Sequence, residues 1–174
     1  LKGESPPRVL DATALYVRPL QSATQLNLPM SAYLPESYIV DGAMRLQLYR
    51  RFAGAGPLED IDRLAQEMED RFGPMPPEAQ NLLYLMRVKA LATRCDVRAI
   101  GQEAEQIVVR AAWLYEAPEA ELRQRLPPGA RLGRGQVWIA LDDAWRGTLE
   151  RTLVALNEAF AALPRAVSGP KRER

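Results

Sequence analysis

Leu58, Ile61, Ala65, Met68 and Phe72 recur at 3-4-3-4 spacing between Pro57 and Gly73-Pro74. That spacing places all five side chains on one face of an α-helix that must be covered by neighbours. The chain supplies candidates on both sides. Asp41 is a good N-cap for a helix over roughly 42–53, whose Met44, Leu48, Tyr49 and Phe52 keep helical spacing. Gly54-Ala55-Gly56 ends it and Pro57 opens the next helix. Gly73-Pro74 then stops that helix, and Pro76-Pro77-Glu78 starts a third that runs to about Arg94. Leu82, Leu83, Leu85, Met86, Val88 and Leu91 cover more than half its circumference, the pattern of a central helix packed on several sides.

The flanking sequence has a different character. Residues 1–25 carry Pro6-Pro7 and no sustained period, so they read as an extended linker. Leu26-Asn27-Leu28 suits a short strand halted by Pro29. Met30, Tyr33, Leu34, Tyr38 and Ile39 are too apolar for a free linker, and Pro35-Glu36 suits a helix start. Downstream, Val97–Ile100 and Gln106–Arg110 predict a β-hairpin, and Pro118–Leu126 a short helix. Gln136–Leu141 is the strongest strand. Asp142 or Asp143 then caps a last helix to about Leu163, striped by Trp145, Leu149, Leu153, Leu156, Phe160 and Leu163. Residues 165–174 read as a disordered basic tail. The expected fold class is α+β: an N-terminal helical cluster followed by a small β-sheet with helices packed on it, one domain over 26–164.

Composition narrows the chemistry. The 174 residues contain no histidine, which excludes His-based triads, His-containing zinc sites and histidine general bases. The single cysteine, Cys95, excludes an internal disulfide and reads as a small buried hydrophobe in a cytoplasmic protein. Twenty-three basic residues against 22 acidic ones leave a net charge of +1, an even balance for a dedicated nucleic-acid module. No stretch approaches 18 consecutive apolar residues, so no membrane helix is expected. The start, without Met or an apolar signal core, reads as a piece of a longer chain. Gly54-Ala55-Gly56 lacks the following Lys and Ser of a phosphate loop.

Paired carboxylates are the remaining candidates for chemistry. Asp142-Asp143 reads as a helix cap. Glu67 and Asp70 share a helix face opposite the apolar stripe, solvated and away from any cleft that would raise a pKa. Their helix holds Glu59, Asp60, Asp62, Glu67, Glu69 and Asp70 against Arg63 and Arg71, six acids less two bases, a local charge of −4. Two readings stand side by side. One is a solvated face with Arg63–Glu67 and Glu67–Arg71 pairs at i,i+4; the other is a docking surface for a basic partner.

The order of several short motifs adds to this. Leu28-Pro29-Met30 through Ile39, then Arg45-Leu46-Gln47-Leu48-Tyr49, then Glu67-Met68-Glu69-Asp70-Arg71-Phe72-Gly73-Pro74 and Pro76-Pro77-Glu78-Ala79 resemble the C-terminal (TRCF) domain of bacterial transcription-repair coupling factors. The resemblance is clear over about residues 26–101 and weak beyond. It implies a non-catalytic, autoinhibitory domain with no cofactor of its own, ATP and Mg belonging to the parent's double-stranded DNA translocase. It implies docking on an intramolecular UvrB-like module, which masks UvrA binding and restrains the motor. RNA polymerase and DNA are then reached through the parent, in transcription-coupled nucleotide excision repair. The acidic docking residues of the family carry over to Glu67 and Asp70. The alternative is an accessory DNA-contacting domain using Arg45, Arg50, Arg51, Arg87, Lys89 and Arg94.

Overall fold

Asp41 begins the first helix as its side chain suits it to do: Oδ1 accepts from the Ala43 and Met44 amides at 2.8 and 3.3 Å. The computed structural model describes residues 24–163. It divides the stretch read as one regulatory domain into two compact units, Pro29–Ala90 and Thr24–Leu28 with the chain from Leu91 onward. The expected tail 165–174 and nearly all of the expected linker 1–25 lie outside the described residues.

The first unit is helical. Its elements are α1 (Gly42–Gly54), α2 (Leu58–Phe72) and α3 (Pro77–Arg94) as far as Ala90. Leu48 and Phe52 of α1, Ile61, Leu64 and Met68 of α2, and Ala79, Leu82 and Leu83 of α3 form one buried cluster. Leu58, Ala65 and Phe72 pack half-buried against it, so the stripe read from spacing does face the core. Leu64 lies three residues after Ile61 and four before Met68, which brings it into the same buried arc.

Residues 29–40 thread along these helices. Pro35 does not open a helix. The Tyr38 and Ile39 amides donate to its carbonyl, both at 3.1 Å, and a single turn results. The neighbouring polar groups are claimed by the helices instead. The Leu34 amide donates to the Tyr49 hydroxyl at 2.8 Å, and the Asn81 side chain donates to the Ser31 carbonyl at 2.8 Å. Downstream, the Ile39 carbonyl and the Ala43 amide, which a longer helical ladder would pair, bond instead to Arg45 and to the Asp41 side chain. Leu34 and Ile39 are thereby held in the core.

The second unit carries a five-stranded mixed sheet in the order β1-β2-β3-β5-β4. Its strands are β1 (Gln25–Asn27), β2 (Ala99–Glu103), β3 (Gln106–Arg110), β4 (Ala130–Gly133) and β5 (Gln136–Ala140). β1 runs parallel to β2, and every other pairing is antiparallel. The register aligns Ile100, Val109, Val137 and Leu132 across one face, all buried. Short helix α4 (Glu119–Arg125) and long α5 (Trp145–Ala162) pack against each other, and α5 packs on β4 and β5. Leu149, Leu153 and Leu156 are fully buried, as their spacing predicts. The pattern did not reveal β4, because Ala-Arg-Leu-Gly has no strand character of its own and owes its conformation to pairing with β5. Gly133 admits that pairing closely: a Cβ there would stand 2.3 Å from the Trp138 ring.

Candidate functional site

Helix α2 has neighbours on both flanks, and charge marks each of them. At about 100° per residue, Asp70 lies roughly 180° from buried Ile61, while Glu67 lies about 120° away on one flank and Asp62 about 100° away on the other. Glu67 reaches Arg51 of α1, and Asp62 reaches Arg87 of α3. Asp70 remains on the outer ridge, exposed and without an ion pair among the described residues.

Glu67 is therefore not a freely solvated carboxylate. The Arg51 guanidinium donates through Nη1 to Oε1 at 2.7 Å and through Nη2 to Oε2 at 2.5 Å. Arg71 adds a third donor, Nη1 to Oε1 at 3.2 Å. Hydrogen bonding from Arg51, then from Arg71, outweighs desolvation and lowers the Glu67 carboxyl to about 2. The same bond raises the Arg51 guanidinium. The side chains are 34% exposed at Glu67 and 49% at Arg51, so the pair stays open to water. The Glu67–Arg71 pair expected at i,i+4 is present. The expected Arg63–Glu67 pair is not: Arg63 pairs with Asp60 at 3.4 Å, while Glu67 is held by Arg51 and Arg71.

The end of α2 is built to hold this ridge still. The Tyr38 hydroxyl donates to the Gly73 carbonyl at 2.9 Å, and its ring meets Phe72 edge-on with centroids 6.0 Å apart. Gly73 takes φ 83° and ψ −167°, a conformation essentially reserved for glycine, and its amide donates to the Glu69 carbonyl. Arg71 lies over the Phe72 ring at 5.3 Å. Arg71-Phe72-Gly73 thus anchors the helix end.

Other candidates fare differently. Burial pushes the Cys95 thiol up to about 12, so it is held as an uncharged core group. An open hollow of about 370 Å³ beside the sheet is lined by Gln106, Arg123, Arg131, Leu132 and Trp138, with no carboxylate or thiol among them. Among the described residues no cluster of acidic or cysteine side chains is placed to hold a metal ion, and no helix is long and apolar enough to cross a membrane. Of the six residues suggested for DNA contact, three have internal acceptors. Arg45 donates to the Ile39 and Val40 carbonyls, Arg51 to Glu67 and Arg87 to Asp62.

Residues 28–119 match the family model of the TRCF domain. The chain belongs to the TRCF domain family. It is 33% identical over 87 residues to the transcription-repair-coupling factor of Bacillus subtilis (strain 168), a match covering 50% of this chain and 7% of that protein. It is 33% identical over 99 residues to the one from Escherichia coli (strain K12), covering 52% of this chain and 9% of that protein. These relatives are thus far longer than the segment they share with it. A crystal structure of the C-terminal domain of transcription-repair coupling factor shares the α+β fold, with a TM-score of 0.65 and 19% identity over 82% of this chain and 96% of that one. The TRCF match contains all of α2, with Glu67 and Asp70.

Proposed function

We propose that this TRCF domain is a non-catalytic docking element of a transcription-repair coupling factor, and that the ridge of α2 around Asp70 and Glu67 binds an arginine-bearing surface on the UvrB-like module of the same protein. Docked, it masks the surface that receives UvrA and restrains an ATP-driven translocase on double-stranded DNA. The observation that carries this reading is the exposed Asp70 carboxylate, without an ion pair among the described residues, three residues from Glu67 on a helix end fixed by Tyr38 and Gly73. A rigid acidic ridge needs no ordering before it meets a cation, so little of the contact energy is spent on preorganisation. An autoinhibitory contact needs only to bias two states: roughly 3 kcal/mol of differential binding keeps the open one near 1%.

Charge reversal tests the proposal in the full-length parent. Glu67→Lys together with Asp70→Lys is expected to raise both ATPase activity and UvrA affinity above resting levels. Unchanged values for both would contradict it.

A further inference from the structure

Glu67 enters the docking ridge already neutralised from within. Arg51 grips both of its oxygens from α1, and Arg71 takes a third bond from its own helix. A carboxylate offers about four lone-pair positions, so roughly one is left for a partner. The charge balance points the same way: one carboxylate between two guanidiniums leaves this flank positive, while Asp70 beside it is exposed and unpaired among the described residues.

We propose that Arg51 and Arg71 act as a built-in counter-charge clamp on Glu67, which weakens docking of cationic partners and makes Asp70 the first point of contact. The inference rests on the docking reading above. An arriving guanidinium pairs first with Asp70. It gains Glu67 only by displacing a resident arginine, and Arg71 is the one to yield: it holds Glu67 by one 3.2 Å bond, whereas Arg51 holds it by two shorter ones. Such a surface rejects isolated cations and accepts a partner presenting two guanidiniums at the right spacing. Removing a clamp arginine therefore tightens docking, because it frees an acceptor and removes a like charge.

The test titrates the 174-residue chain and its variants with two probes, the UvrB-like module and polyarginine. Arg51 and Arg71 are about half exposed, so methionine is tolerated at either site. Arg51→Met and Arg71→Met are each expected to bind both probes up to about five-fold tighter, the range for a surface ion pair. Arg51→Lys should stay near the parent value, and Asp70→Asn should bind more weakly. A second readout is the Glu67 carboxyl titration followed by NMR, which should move upward in Arg51→Met. Equal or weaker polyarginine binding by both methionine variants overturns the clamp, as does an unmoved Glu67 titration. If the module fails to bind while polyarginine binds more tightly to the methionine variants, the clamp stands and the docking reading falls.

Discussion

Glu67 shows how a single residue changes meaning between sequence and structure. Its i,i+4 partner Arg71 was legible, because helical spacing alone brings the two together. Arg51, sixteen positions away, was not: only the packing of α1 beside α2 makes it the dominant partner. Asp70 was legible as an outward carboxylate from its angle to the apolar stripe. The Arg51 contact has a pH signature. The Glu67 carboxyl lies at about 2 in the folded chain against an ordinary value of 4.5. Its contribution to stability is therefore full above about 4.5 and is lost as pH falls toward 2. Glu67→Gln should flatten the acid limb of a denaturation profile over that window, measured by urea melts at a series of pH values. An acid limb of unchanged slope would show that the pair is not held in solution.

At the scale of elements, the helices were legible wherever apolar spacing and caps agreed, as at Asp41, Pro57 and Gly73-Pro74. Elements defined by pairing rather than pattern were not. β4 has one large apolar residue in four and exists because β5 lies beside it. The helix suggested at Pro35 stops after one turn because the Ile39 carbonyl and the Ala43 amide, which a continuing helix would pair, bond instead to Arg45 and to the Asp41 side chain. The motif Arg71-Phe72-Gly73 was legible as a helix end, yet its fastening by Tyr38, 35 residues before Gly73, was not. Gly73 carries a specific expectation. A Cβ there would meet nothing within 4 Å, so replacement is opposed by backbone conformation alone. Gly73→Ala should cost about 1–3 kcal/mol in a chemical denaturation experiment. A variant as stable as the parent would mean that the end of α2 takes another conformation.

At the scale of the whole chain, the α+β class was readable from the segregation of helical and strand-like segments, and the structure of the related C-terminal domain shares it. Its division into two compact units was not readable, because α3 runs without interruption from one set of residues into the other. Family membership rests on residues 28–119, which include the whole acidic ridge. The central claim is that this ridge is a docking surface whose negative hook is Asp70. Isothermal titration of the chain with the UvrB-like module proposed as its partner, at increasing salt, tests it most directly. The account predicts saturable binding that weakens steadily with ionic strength and weakens further in Asp70→Asn. Binding indifferent to salt and to Asp70→Asn, or no binding at low salt, would contradict it.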